Sequence, residues 1–344
     1  MDRMVFVYRD TLSCEAIVRR APDGHLIIVS QCGGVNEPEI GNRTYAFHSN
    51  DEGLTWSKGE LIYPDNGRAT GITGLECDNG HIDAFITEHN GSFLYPDCHI
   101  RRSFDNGHTW AKVPMPIFRN TFVFLRGKVC LADGRTAFCY QQYDLKKEEC
   151  DRLDKDGKII CDADLPYADC GLIIREKDGS FVKSEDIRIK NEFNGKRLWQ
   201  WPEPTAAVLA DGTIVMLFRI NGSGFLYESR SHDGIKWTPL EKTDIPNPNN
   251  KPKLVDLKNG EIALLNTPGN GVGFKYRTPL EIWISDDGMK TWYYKKRITD
   301  FPGWLSYPDG FYERTTDEIL FTFELNRHDI YFVRADISDR KNIK

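Results

Sequence analysis

The sequence predicts an all-β fold, a six-bladed β-propeller with four-stranded antiparallel blades, and three observations carry that prediction. The first is a repeated motif. Ser49-Asn50-Asp51-Glu52-Gly53-Leu54-Thr55-Trp56 recurs as Ser103-Phe104-Asp105-Asn106-Gly107-His108-Thr109-Trp110, 54 residues on, and looser copies begin at Ser231 and Ser285, again 54 apart. The second is a series of Asp/Asn-Gly turns between short apolar runs, at Asp23-Gly24, Asn79-Gly80, Asp133-Gly134, Asp211-Gly212 and Asn259-Gly260, with Asp317-Glu318 in the sixth place. Such turns between strand-like runs are a strong hairpin signal. The third is the scarcity of amphipathic helical periodicity.

Each motif has the chemistry of a hairpin staple. Ser and Asp side chains bond nearby backbone amides, Gly permits the turn, and Trp wedges between strands. Taken in order, each hairpin opens a blade, and four are followed by the motif. The third blade has no motif copy and is followed by a polar, acidic insertion around residues 141–170. The strand Val5 to Tyr8 is expected to complete the sixth blade and close the ring, which removes exposed sheet edges. The whole of 1–344 reads as one propeller.

Composition bounds the function. Charged residues make up 28% and hydrophobic residues 40%, as in a globular chain with a real core. A net charge of −6 with scattered Lys and Arg argues against nucleic acid as a partner. No apolar run approaches the roughly 20 residues of a membrane span. The amino terminus lacks a long apolar h-region, so a cytoplasmic protein is expected. Nine cysteines at irregular spacing, with no C-x-x-C pair, read as reduced, mostly buried thiols. A disulfide or metal role is conceivable only for Cys150, Cys161 and Cys170, which share one loop. The motif aspartates, on outer hairpins, are read as structural, and neither a metal nor a cofactor is expected.

Residues just ahead of each Asp/Asn-Gly hairpin should converge on the central channel. This places Cys14 and Glu15, Arg68 to Gly71, Asn120 and Thr121, Trp201 to Pro204, Asn249 to Lys251, and Ser306 to Asp309 around one pocket. A polar floor with aromatic walls suits a sugar.

The motifs and blade spacing resemble the sialidase (neuraminidase) superfamily of Asp-box, or BNR-repeat, propellers over nearly the whole chain. Segments such as Pro246 to Pro252 and Ser306 to Gly310 are similar to a divergent bacterial sialidase-like branch. The resemblance implies a retaining glycosidase with a tyrosine nucleophile activated by glutamate, an aspartate acid/base and three arginines around a substrate carboxylate. Carried over residue by residue, it implies Tyr307 as nucleophile and Glu203 as its partner, with Arg219 and Arg277 binding the substrate and Glu324 closing the last hairpin. Glu15, Arg68, Trp201 and Asp309 are further substrate-binding candidates from their channel positions.

The chemistry is coherent, because a carboxylate beside a tyrosine can take the phenolic proton and arginines offer bidentate donors to a carboxylate. The amino-terminal half departs from the family pattern. Cys14-Glu15-Ala16-Ile17 stands where the first arginine belongs, with Arg19 and Arg20 nearer the turn. Arg68-Ala69-Thr70-Gly71 stands where the acid/base aspartate belongs. Replacement acids are sought among Glu15, Glu37, Glu39, Glu88, His89, Asp97, His99 and Asp309. The expected function is hydrolysis of a terminal acidic or modified sugar. The alternatives are a lyase or inverting glycosidase on the same fold, and a non-catalytic glycan-binding propeller.

Overall fold

Six antiparallel sheets follow one another around a closed ring. The structure is a computed structural model that describes residues 2–78, 80–115, 117–118 and 121–343, so Asn79 and Asn120 lie outside the described residues. Blade 1 comprises Ser13–Arg20, Leu26–Cys32, Arg43–Ser49 and Glu60–Leu61. Blade 2 comprises Ala69–Asp78, His81–His89, Asp97–Ser103 and Ala111–Pro114. Blade 3 runs through Phe122–Cys130, Thr136–Tyr143, Tyr167–Arg175 and Phe181–Lys183, with Ile187–Lys190 also paired to its third strand. Blades 4 and 5 begin at Thr205–Val208 and Lys253–Asp256 and end at Glu241–Pro246 and Tyr294–Thr299. Blade 6 holds Leu305–Glu313, Glu318–Leu325 and Asp329–Asp336, and the amino-terminal strand Arg3–Arg9 pairs with the last of these. That pairing, expected from Val5 to Tyr8, closes the ring.

The motif turns are stapled as their chemistry requires. In blade 2, Ser103 Oγ donates to Asp105 at 2.8 Å and accepts the Gly107 amide at 2.8 Å. Asp105 in turn accepts the amide and hydroxyl of Thr109 at 2.8 and 2.6 Å. The blade 1 copy repeats the pattern through Ser49, Asp51 and Thr55. Gly53 there has φ +78°, and a Cβ would fall 2.1 Å from the Phe332 ring of blade 6, so glycine is needed for both conformation and approach.

Each seam between blades has its own apolar core. Ile17, Val29, Ile72 and Ile86 join blades 1 and 2, and Leu265, Ile282, Phe321 and Phe323 join blades 5 and 6. The ring is therefore held by burial between blades as well as by hydrogen bonds within them.

The segment 141–170 is less purely polar than expected. It forms a short helix, Lys147–Lys155, whose Cys150 and Leu153 pack with Ile160 against Phe122, Tyr143 and Trp199. All nine cysteines are free. Cys170 packs in a different core from Cys150 and Cys161, so the shared loop does not bring the three together.

Candidate active site

Four blades break register on their inner strands, and each break carries a side chain into one cavity. The breaks fall between Cys14 and Ile17, Ile72 and Gly74, Leu125 and Lys128, and Ser306 and Asp309. They hold Glu15, Thr73, Arg126 and Tyr307, all of which line a cavity of about 210 Å³. Bulges re-aim side chains in this way near functional sites. Glu15 and Tyr307 have φ of 54° and 51°, and Glu203, just ahead of the blade 4 inner strand, has φ 46°. Left-handed backbone at non-glycine residues is costly and clusters where a side chain must be aimed.

Four arginines and three glutamates line the cavity: Arg126, Arg219, Arg277 and Arg327 against Glu15, Glu37 and Glu203. Arg219 Nη1 lies 2.6 Å from Glu203 Oε2 and donates to the Tyr307 hydroxyl at 3.1 Å. Arg126 pairs with Glu15 at 2.9 Å and approaches Glu203 at 3.8 Å. Lys251 holds the other oxygen of Glu15 at 2.5 Å. Arg327, at the turn between the second and third strands of blade 6, pairs with Glu37.

Arg277 differs from the others. Nη1 donates to Ser306 Oγ at 2.9 Å and Nη2 to the Asn249 carbonyl, while Nε is buried without a hydrogen-bond partner. Among the described residues it has no carboxylate partner. Its guanidinium lies over the Phe274 and Tyr307 rings, 4.3 and 5.5 Å from their centroids. Burial lowers its pKa to about 10, so the charged form is held at a cost.

The electrostatics divide the carboxylates. Burial pushes the Glu15 carboxyl up, but Lys251 and Arg126 outweigh it and hold the group below the usual glutamate range. Burial pushes the Glu324 carboxyl up to about 8, and one of its oxygens is buried without a partner. The other accepts the Glu15 amide at 2.6 Å. Burial and the neighbouring Glu203 raise the Tyr307 phenol, against the opposing pull of Arg219 and Arg277.

Of the residues singled out from the sequence, Tyr307, Glu203, Arg219, Arg277, Glu15 and Trp201 line this cavity, Trp201 stacking on Phe124. Arg68 does not. The blade 2 inner strand starts at Ala69 and reaches the cavity only at Gly71 to Thr73, leaving Arg68 outside, paired with Glu88 at 2.9 Å. Asp309 does not line it either. It lies behind Lys251, bonded to Arg19 at 2.9 Å and held ionised by Lys253, Arg19 and Lys251 despite burial. Arg19, expected near the turn, is buried in the channel between Asp309 and Glu76.

Among the other replacement acids, Glu37 lines the cavity. Glu39 instead caps its own loop through the Val35 and Asn36 amides. Glu88 is engaged by Arg68 and Asn66, and Asp97 by Lys112. Sequence reasoning missed Arg126, Arg327 and Gln31. Gln31 is fully buried, lines the cavity, and both its amide atoms lack partners.

Six blades thus surround one arginine-lined cavity. The chain belongs to the BNR repeat-like domain family, whose profile matches residues 95–318. No curated protein matches the sequence. Among solved structures it resembles the Hadza microbial sialidase Hz136, with a TM-score of 0.68 and 16% identity over 96% of this chain and 66% of that one. It also resembles Trypanosoma rangeli sialidase in complex with sialic acid (TM-score 0.67, 14% identity, 100% and 60% covered). Penicillium chrysogenum α-L-arabinanase complexed with arabinobiose matches at TM-score 0.63 and 13% identity, over 98% of both chains. The chain thus spans about two thirds or less of the sialidases and nearly all of the arabinanase.

Proposed function

We propose that the protein is a sialidase-like exo-glycoside hydrolase that acts on a terminal acidic sugar with retention of configuration. The observation that carries this reading is Arg277, a buried guanidinium on the cavity wall with no carboxylate partner among the described residues. A buried charge without a counterion is costly, and a substrate carboxylate would supply the missing one. Arg219 and Arg327 flank the same cavity and add donors. At about 210 Å³ the cavity suits one sugar unit, so cleavage would occur from a chain end.

Tyr307 attacks the anomeric carbon while the bond to the leaving-group oxygen breaks. The phenolic proton passes to Glu203, which reaches the hydroxyl as the substrate carboxylate draws Arg219 away. Glu37 is the proton donor to the leaving group. An incoming carboxylate that competes for Arg327 frees Glu37 to take up a proton from solvent and pass it to the leaving-group oxygen, and Glu15, held ionised, cannot perform this task. In the second step water gives a proton to Glu37 and attacks the anomeric carbon. The tyrosyl oxygen departs and recovers its proton from Glu203.

The test is a screen of aryl glycosides of sialic, uronic and neutral sugars with wild type and Tyr307→Phe. Hydrolysis of an acidic glycoside, lost by about a thousandfold or more in the variant, is expected. A folded Tyr307→Phe variant with full activity would remove Tyr307 as nucleophile. An unsaturated product would indicate a lyase, and lasting binding without turnover a glycan-binding propeller.

A further inference from the structure

A cluster of histidines lies far from the cavity, on the seam between blades 1 and 2. His25 follows the first turn of blade 1, His48 closes that blade's third strand, and His108 belongs to the motif turn of blade 2. The blade 1 inner strand passes the cavity at Glu15 and ends at Arg20, one turn before His25. At roughly 3.3 Å per residue the cluster therefore lies about 15–20 Å from the cavity, on the opposite face.

A relay of side chains fixes the state of His48. Asp23 Oδ1 lies 2.6 Å from His25 Nδ1, and His25 Nε2 lies 2.8 Å from His48 Nδ1. With Asp23 accepting from the Nδ1–H of His25, the Nε2 of His25 is left to accept from the Nδ1–H of His48. The Nε2 of His48 is then a bare lone pair. It is buried, it has no hydrogen-bond partner, and His48 is only 7% exposed. Gly107 makes room for this ring, since a Cβ there would fall 3.1 Å from His48 Cε1.

We propose that His48, His108 and Glu60 form a transition-metal site, suited to Zn²⁺, that clamps blade 1 to blade 2. One ligand atom from each lies within 4.8 Å of the others. Two imidazoles and a carboxylate suit zinc, with a water completing the tetrahedron. Tetrahedral zinc holds its ligand atoms about 3.3 Å apart. His108, whose ring stacks on His48 with centroids 4.7 Å apart, and Glu60 are both exposed and reorient to close that gap when the metal binds, while His48 stays fixed by its relay. The Asp23–His25 pair is the outer-shell carboxylate–imidazole support that orients metal-binding histidines. Among the described residues the other grouping of this kind, Glu88, Asp97 and His99, is already engaged by Arg68, Lys112 and Arg101.

The test strips the full-length protein with EDTA and titrates Zn²⁺ against a chromophoric competitor, with metal content measured after dialysis. Wild type, His108→Ala and Asp23→Asn are compared. His108 is exposed on a turn, so its variant folds as wild type does, and zinc held by the free thiols is common to all three. Wild type is expected to bind one equivalent more than His108→Ala and to melt higher with Zn²⁺ where that variant does not. Asp23→Asn is expected to weaken the site about 10- to 100-fold. Co²⁺ should give a tetrahedral visible absorption in wild type that His108→Ala lacks. Equal stoichiometry and affinity in wild type and His108→Ala, or no binding by wild type, would overturn the site.

Discussion

Glu203 and Tyr307 meet through a single nitrogen, the Nη1 of Arg219, which is 2.6 Å from the carboxylate and 3.1 Å from the phenol. Neither residue bonds the other directly among the described residues. The guanidinium holds carboxylate and phenol side by side, and in the proposed mechanism the proton passes only once a substrate draws Arg219 away. Glu203→Gln keeps the shape and removes the proposed base. It is expected to lower kcat by about a hundredfold or more with little change in KM. Steady-state kinetics on the acidic aryl glycoside check this, and an unchanged kcat would remove Glu203 from the chemistry.

In the proposed function Arg277 is held for a substrate carboxylate at the expense of stability. Arg277→Met removes a buried cation that lacks a carboxylate partner, so the apo protein is expected to melt higher. The same variant should lose its preference for acidic over neutral glycosides by tenfold or more. Thermal melts and the ratio of kcat/KM values report the two effects. A lower melting temperature would show that its bonds to Ser306 and Asn249 outweigh its desolvation.

Glu15 is the counterion for two buried cations, Arg126 and Lys251. Glu15→Gln leaves both undercompensated and is expected to destabilise the fold by about 3–5 kcal/mol. Urea unfolding measures this. A cost below about 1 kcal/mol would mean that Glu203 and Asp309 compensate for the lost charge.

Glu324 gives stability a pH dependence of defined sign. Burial raises its folded-state pKa from 4.5 to about 8, so over that window the folded chain keeps a proton that the unfolded chain has lost. The folded state binds more protons, and this contribution therefore falls as pH rises from about 4.5 to about 8, then levels. Glu324→Gln mimics the protonated form and removes the slope. Melts across pH 5 to 8 should show wild type losing ground to the variant as pH rises, and a constant difference would contradict the assignment.

The blade count was legible in the sequence because the Ser-x-Asp-x-Gly-x-Thr-Trp turn and the Asp/Asn-Gly hairpin are local chemistry, complete within a few residues. Tyr307, Glu203 and Glu15 were legible because each lies ahead of its hairpin at the position that turns toward the channel. Arg126 was not, because the register break inside the blade 3 strand presents it later than the Asn120–Thr121 position that spacing suggests. Arg327 was hidden for a different reason. It reaches the cavity from a later turn of blade 6, and only the closed ring brings that turn over Cys14 and Glu37. Arg68 failed in the opposite sense, since the blade 2 inner strand begins outside the cavity and enters it only at Gly71.

The central claim is that Tyr307 is the nucleophile of a retaining glycosidase. It is tested most directly by incubating the protein with a fluorinated acidic glycosyl fluoride, which slows release of a covalent intermediate, followed by peptide mass spectrometry. One glycosyl adduct is expected on the peptide containing Tyr307, absent from Tyr307→Phe. Turnover of the acidic glycoside with no adduct at Tyr307, or an adduct on another residue, would contradict it.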